Sequence, residues 1–142
     1  HNMQNLARMA AECDKYGMLC GAEMLYKTCK ASGDYTEESL NTLCRAAAEV
    51  GADFVKGTFI EPEGFKRVVN NCYVPLVILG GNKIDDDRQV LEQVASALAC
   101  GAKGIAIGRN LWGHKNPAGM AAALRKLIHE DATVDEALSE LN

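Results

Sequence analysis

The sequence predicts an α/β fold in which helices cover a parallel β-sheet. Stretches with the spacing of amphipathic helices alternate with short apolar stretches of strand length. Some of these strands, such as 76–79, are apolar on both faces, which is typical of parallel strands buried between layers. Each strand also ends in small or polar residues, and ligand sites of α/β proteins form at such strand ends.

The first half of the chain contains two predicted helices and two predicted strands. The helices carry apolar residues at i, i+3, i+4 and i+7, and the strands are short and mostly apolar. In order, the elements are a helix ending at Gly17, a strand over 18–25, a loop over 26–36, a helix started by Thr36 or Ser39 and ended by Gly51, and a strand over 52–59.

The second half continues the alternation and ends in helices. Carboxylates or an asparagine–proline pair stand where helices are expected to begin. In order, the elements are a helix from Phe65 to Cys72, a strand over 76–79, a helix after the carboxylates of 85–87, a strand over 104–107, a helix capped by Asn116, and a short helix with a capping box of Thr133 and Glu136.

Composition excludes several classes of protein. Among the 142 residues, 48% are hydrophobic and 24% charged, which is typical of a globular domain and not of a disordered chain. The net charge of −4 predicts no attraction to nucleic acid or to an anionic membrane, and no signal peptide or membrane span is expected. The six cysteines show no paired metal-ligand spacing, so we expect no metal and a reduced, cytoplasmic protein.

Lys56 interrupts the apolar strand over 52–59. An ammonium group in such a run must be paired, must reach water at the strand end, or must lose its charge. In the last case the neutral amine is a nucleophile that can form a Schiff base with a carbonyl substrate. A lysine at a strand end is more often simply solvated, so the chemical interpretation depends on the residues that follow.

Two consecutive strands end in glycine. Gly80 and Gly81 follow the strand over 76–79, and Gly108 with Arg109 follows the strand over 104–107. Glycine allows backbone N–H groups to approach an anion closely, and an arginine can add a bidentate contact to phosphate oxygens. The alternative is that the glycines only form tight turns. Two such units in succession, the second followed by Arg109, favour a phosphate site.

Several motifs resemble those of the class I aldolases of the archaeal fructose-bisphosphate aldolase type. They are GADFVK, GFKRVV, VPLVILGGNK, GAKGIAIGRNLW and NPAGMAAALRKLIHE, and they extend from about Ala46 to the C-terminus. The same group includes a thiolase that processes phosphorylated autoinducer-2 and an aminodeoxyheptulosonate synthase. The resemblance implies a (βα)8 barrel. It makes Lys56 the Schiff-base lysine and assigns the phosphate to Gly80, Gly81, Gly108 and Arg109.

The chain departs from these aldolases at two places. Gly57 follows the lysine where they usually have threonine, and Leu25 stands where a tyrosine would serve as proton donor and acceptor. Tyr26 comes one residue later, which in a strand places it on the opposite face. Tyr26 can take the catalytic role only where the strand has ended or bulges, and otherwise it packs on the rim. Glu23 is the other candidate, as an inward-facing carboxylate that pairs with Lys56.

The length corresponds to about half of a barrel. A complete barrel needs roughly 250 residues, and by alignment residues 1–142 supply strands five to eight as a single unit. The chain is then a fragment, a half-barrel that pairs with a copy of itself, or part of a longer protein. Two open sheet edges and an apolar inner face predict association into a homo-oligomer.

The expected function is that of a class I aldolase acting on a phosphorylated sugar through a lysine Schiff base, without a cofactor. The first rival is thiolase-like acyl transfer to coenzyme A by the same lysine. A more distant rival is a sugar-phosphate isomerase or a flavin-dependent barrel that shares only the phosphate loops. A third possibility is an inactive half-barrel that acts as an assembly module.

Overall fold

A computed structural model describes residues 2–25 and 35–141, and in these parts of the chain strands and helices alternate as the sequence predicts. The strands are β1 Gly21–Glu23, β2 Phe54–Gly57, β3 Leu76–Leu79 and β4 Gly104–Ala106. The helices are α1 Asn2–Lys15, α2 Glu37–Glu49, α3 Pro62–Asn71, α4 Asp87–Ala99, α5 Arg109–Trp112, α6 Pro117–His129 and α7 Val134–Leu138, followed by a 3₁₀ turn over Ser139–Leu141.

The four strands form one parallel sheet in the order β1-β2-β3-β4. Neighbours in the sheet are also neighbours in sequence, so each connection returns through a helix to the start of the next strand. Because all strands run the same way, their carboxyl ends lie along one edge. The predicted parallel sheet is therefore confirmed.

The two faces of the sheet differ in exposure. Val55 and Ile78 belong to the buried core that the helices cover. Lys56 and Leu79, which point to the opposite face, are only partly buried, and Ala106 is exposed. Alternate residues of a strand face opposite sides, so one face is packed against helices and the other is open in the described chain.

Most helix ends follow the predicted capping chemistry. Thr36 caps α2 in a reciprocal capping box with Ser39, and Thr133 forms the same box with Glu136 at α7. Asn116 caps α6 through a hydrogen bond to the backbone of Gly119. These side chains satisfy N–H groups that have no partner inside the helix, which is why local sequence identifies the ends.

Strand lengths and one helix differ from the prediction. Of the residues expected to form a strand over 18–25, only those of β1 do so, and Leu19 before β1 is 75% exposed. The strand expected over 52–59 is likewise shorter in the structure, where only β2 is extended and paired. Apolar composition alone does not mark where the backbone pairing of a strand begins. Helix α5 directly after β4 was not predicted, since it is a single short turn.

No helix in the described ranges is long and apolar enough to cross a membrane.

Candidate active site

A cavity of about 390 Å³ opens at the carboxyl edge of the sheet. Residues from the ends of all four strands line it, because the parallel arrangement brings those ends together. Apolar contributions come from Leu25, Leu79, Ala106 and Trp112. Every candidate site residue within the described ranges also lines it: Glu23, Lys56, Gly80, Gly81, Gly108 and Arg109.

Lys56 and Glu23 form an ion pair inside this cavity. Nζ of Lys56 donates to Oε2 of Glu23 over 3.0 Å, and the two residues are register partners on β2 and β1. The side chain of Lys56 is 29% exposed and that of Glu23 is 41% exposed, so water screens the pair. Such pairs contribute about 1 kcal/mol or less to stability. The predicted pairing is thus present, and the amine faces the cavity that the glycine turns line.

Tyr26 lies outside the described residues, so its candidate role stays a prediction. Leu25, the residue directly before Tyr26, is 60% exposed and lines the cavity. Its side chain has no group that transfers a proton. Glu23 is the carboxylate that accepts a hydrogen bond from Lys56 in this cavity.

The turn after β3 requires glycine at both positions. Gly81 has φ = +58°, a left-handed conformation that costs side-chain-bearing residues free energy. A Cβ atom added to Gly80 would approach Cβ of Ile107 to 2.7 Å, which is closer than packed atoms allow. Both glycines therefore let the turn lie tightly against the neighbouring strand end.

The turn after β4 brings Gly108 and Arg109 to the same cavity. The indole ring of Trp112 packs so closely on Gly108 that an added Cβ would overlap it. Arg109 donates from Nη1 to Oδ1 of Asn82 over 3.0 Å, which ties the guanidinium to the turn after β3. The two glycine turns therefore adjoin, as a shared anion site requires.

Sequence reasoning missed Asn110. Its side chain is 5% exposed, donates from Nδ2 to the carbonyl oxygens of Gly80 and Asn82, and accepts from the backbone N–H of Ile84. A polar residue that directly follows Arg109 was the available signal.

Thr58 was also missed. It is 5% exposed and lines the cavity two residues after Lys56, and its buried Oγ1 has no hydrogen-bond partner in the described chain. A buried hydroxyl without a partner is unfavourable. The sequence offers no signal for such a group, because whether a hydroxyl is paired depends on the atoms around it.

His114, in the segment after α5, has a hydrogen-bond contact at each of its two ring nitrogens. Its side chain is 9% exposed, and Nε2 lies 2.9 Å from Oδ1 of Asp87. Nδ1 is in hydrogen-bond contact with the backbone of Asn116. His114 therefore connects the segment after α5 to the first residue of α4.

The cysteines in the described ranges are free thiols. Burial raises the pKa of the Cys44 thiol to about 12, and the nearby Cys72 contributes to the shift. Burial likewise raises the pKa of the Cys72 thiol. These two groups belong to the core and have no place in the cavity.

The family model for DeoC/LacD family aldolases matches residues 1–114. An uncharacterized aldolase of Saccharolobus solfataricus is 36% identical over 99% of this chain and 53% of its own length. A 2-amino-3,7-dideoxy-D-threo-hept-6-ulosonate synthase of Halobacterium salinarum is 34% identical over 94% of the chain and 50% of its own. A 3-hydroxy-5-phosphonooxypentane-2,4-dione thiolase of Klebsiella pneumoniae is 43% identical over 66% of this chain and 31% of its own length.

Solved structures of aldolases are likewise similar to this chain over about half of their own length. An archaeal fructose 1,6-bisphosphate aldolase superimposes with a TM-score of 0.82 at 29% identity, over 90% of this chain and 52% of its own. A fructose-bisphosphate aldolase of Slackia heliotrinireducens is 20% identical and has the same fold. It superimposes with a TM-score of 0.87 over 99% of this chain and 48% of its own. These aldolases are (βα)8 barrels, so the described sheet corresponds to part of a barrel. The chain spans about half the length of the relatives it matches, and it belongs to the DeoC/LacD family of aldolases.

Proposed function

We propose that this chain supplies the Schiff-base lysine and the phosphate-binding turns of a class I aldolase that acts on a phosphorylated sugar. One observation carries the proposal. The amine of Lys56 and the two turns containing Gly81 and Gly108 line a single cavity at the carboxyl edge of a parallel sheet. A nucleophilic amine and an anion site in one cavity are what a phosphorylated ketone requires.

The first chemical step takes place at Nζ of Lys56. The ammonium group of the ion pair first loses a proton to the carboxylate of Glu23 or to water; the neutral amine then attacks the ketone carbon, and a C–N bond forms. The carbonyl oxygen takes up protons and leaves as water, which gives a cationic iminium. That cation accepts the electron pair of the adjacent C–C bond when the bond breaks, while a base removes the proton from the hydroxyl of the departing aldehyde.

Glu23 is our candidate for the proton transfers. Its carboxylate already accepts a hydrogen bond from Lys56 over 3.0 Å, which is within the range a general base needs. Tyr26, from the adjoining segment, is the other candidate. Glu23 lies at the end of β1 as the register partner of Lys56, which places its carboxylate beside the reacting carbon of a ketone bound at that amine.

The phosphate would be held by the backbone of Gly80, Gly81 and Gly108 and by Arg109. In the free protein the guanidinium of Arg109 donates to the neutral side chain of Asn82. When a ligand binds, the guanidinium would donate to the phosphate instead or as well, and that charge-assisted hydrogen bond is the stronger one. Binding energy from this remote group would then orient the ketone carbon at Lys56.

Acyl transfer to coenzyme A is the second candidate function. The observation that favours it is the 43% identity to the Klebsiella pneumoniae thiolase over 66% of this chain. The same lysine and phosphate turns would serve both reactions. Assays with a sugar bisphosphate, and with a phosphorylated dione plus coenzyme A, separate the two.

We further propose that residues 1–142 form one unit, the C-terminal half of a (βα)8 barrel, and that the chain assembles as a homo-oligomer. The open face of the sheet and the roughly half-length coverage of the relatives support this proposal. The alternative is that this half-barrel has no catalytic activity and serves only as an assembly module. Light scattering of the purified chain measures the association, and a monomer at assay concentration argues against it.

The decisive experiment is reduction with borohydride in the presence of dihydroxyacetone phosphate, followed by peptide mass mapping. We expect an adduct on Lys56 that is absent from Lys56→Met. Lys83→Met is the matched control, because Lys83 lies after the Gly80–Gly81 turn and does not line the cavity. An adduct on another lysine, or unchanged activity in Lys56→Met, would exclude Schiff-base chemistry at this site.

A further inference from the structure

The side chain of Asn110 lies between the two glycine turns and is hydrogen-bonded to one of them at three points. Nδ2 donates to the carbonyl oxygen of Gly80 over 2.9 Å and to that of Asn82 over 3.1 Å. Oδ1 accepts from the backbone N–H of Ile84 over 2.8 Å. The turn after β3 is therefore fastened to a residue in the first turn of α5.

This pattern uses both donors of the amide, so few residues could replace it. An aspartate at this position would keep the acceptor for Ile84 and lose both donors. Alanine would leave two carbonyl oxygens and one N–H of a partly buried turn without these partners. Asn110 and Thr58 are the buried polar residues of the described chain, and Asn110 is the one whose hydrogen bonds are satisfied.

The two carbonyl groups that Asn110 holds lie on either side of Gly81. In a trans peptide the C=O and the following N–H point in opposite directions, and the described chain contains no cis bond. Fixing the Gly80 carbonyl toward Asn110 therefore directs the N–H of Gly81 away from that buried side chain. Asn110 thus sets the orientation of a backbone donor that the proposed phosphate site uses.

Arg109 and Asn110 act on the same residue of the turn. Arg109 donates to the side-chain oxygen of Asn82, while Asn110 donates to its backbone oxygen. Two consecutive residues after β4 therefore hold one residue after β3. The two turns form a single unit before any ligand is bound.

From this geometry we infer that Asn110 is a positioning residue for phosphoryl binding, which holds the Gly80–Asn82 turn in the conformation that receives the anion. The inference rests on the proposed function for the identity of the ligand. Without the amide, the turn must be ordered when the ligand binds, and the ordering entropy is then subtracted from the affinity. The chemistry at Lys56 does not involve Asn110.

The test compares a phosphorylated with an unphosphorylated ketone. The variants are Asn110→Ala and Asn110→Asp, and the readout is the ketone concentration that gives half-maximal borohydride trapping on Lys56. With dihydroxyacetone phosphate we expect at least a tenfold increase in that concentration for both variants. With dihydroxyacetone, which lacks the phosphate, we expect no change. Thr133→Val, which removes a helix cap outside the cavity, is the control for lost stability.

Either of two results would overturn the inference. One is an unchanged half-saturating concentration of dihydroxyacetone phosphate in variants that fold. The other is an equal loss with both ketones, which would show a general structural defect. If the unaltered protein forms no adduct on Lys56, the proposed function fails. The role of Asn110 is then tested by the change in Tm that inorganic phosphate causes. Phosphate must then raise the Tm of the unaltered protein and not that of Asn110→Asp; no shift in the unaltered protein rejects the inference.

Discussion

Nζ of Lys56 and Oε2 of Glu23 lie 3.0 Å apart, on residues that are register partners in adjacent parallel strands. In-register neighbours on parallel strands point to the same face, so the sheet itself brings the amine and the carboxylate together. No loop conformation is needed. The carboxylate of Glu23 thus lies within hydrogen-bond range of the amine in the folded chain, as the proposed proton transfers require.

Replacing Glu23 by glutamine should separate carbon–carbon bond chemistry from Schiff-base formation. We expect Glu23→Gln to lower turnover by about 10²- to 10⁴-fold, because a positioned general base is lost. Borohydride trapping on Lys56 should persist, since the nucleophile is unchanged. Steady-state kinetics and mass mapping measure the two effects.

Tyr26→Phe is the companion variant. Should Tyr26→Phe abolish turnover while Glu23→Gln leaves it intact, the tyrosine and not the glutamate is the proton-transferring group.

Gly81→Ala should destabilise the protein. The left-handed conformation at φ = +58° costs an alanine about 1–2 kcal/mol. Gly57→Ala is the matched control, because its added Cβ would meet neighbours at an ordinary 3.4 Å and its φ is not positive. Urea unfolding of both variants gives the comparison. Equal stability of the two would contradict the role assigned to the turn.

Thr58→Val should leave the free energy of unfolding unchanged or raise it. The substitution keeps the shape of the side chain and removes a buried hydroxyl that makes no hydrogen bond in the described chain. Thr36→Val, by contrast, removes the cap of α2 and should cost about 1 kcal/mol. Thermal unfolding measures both, and a clear loss of stability in Thr58→Val would mean that the hydroxyl is paired in the folded protein.

Stability should fall in alkaline solution because of Cys44. Its pKa is raised from 9.0 to about 12 in the folded protein, so between these values the unfolded chain loses the proton and the folded chain keeps it. The stabilising contribution is therefore complete below pH 9 and is lost as the pH rises toward 12. We expect a loss of about 1 kcal/mol between pH 8 and pH 10.

Cys44→Ala isolates this contribution. The variant should be less stable at every pH because it leaves a cavity, but its stability should decline less steeply above pH 9. Parallel curves for the two proteins would show that Cys44 does not cause the decline.

The sequence was most informative where structure depends on near neighbours. Thr133 with Glu136 forms a capping box within one turn of helix, so the spacing predicted this helix start. Of the two starts predicted for α2, the structure selects Thr36, which forms a capping box with Ser39. Strand limits were less predictable. Leu19 is more apolar than any residue of β1, yet it lies outside the described sheet and is 75% exposed.

The cavity was predictable in outline. Lys56 lies at the end of β2, and Gly80 and Arg109 come after β3 and β4. The carboxyl ends of parallel strands must share an edge. The pairing of His114 with Asp87 was not predictable, because these residues are 27 positions apart and neither has a distinctive motif.

By itself, the sequence determined the alternating helices and strands, the parallel sheet, and the edge at which the amine and the glycine turns meet. These follow from periodicity and from the chemistry of adjacent residues. Only the tertiary structure decided which atoms touch: the bond from Lys56 to Glu23 across 33 residues and that from Asn110 to Gly80 across 30. Strand register and turn geometry fix such contacts, and both are set by packing of the whole chain, which no local pattern encodes.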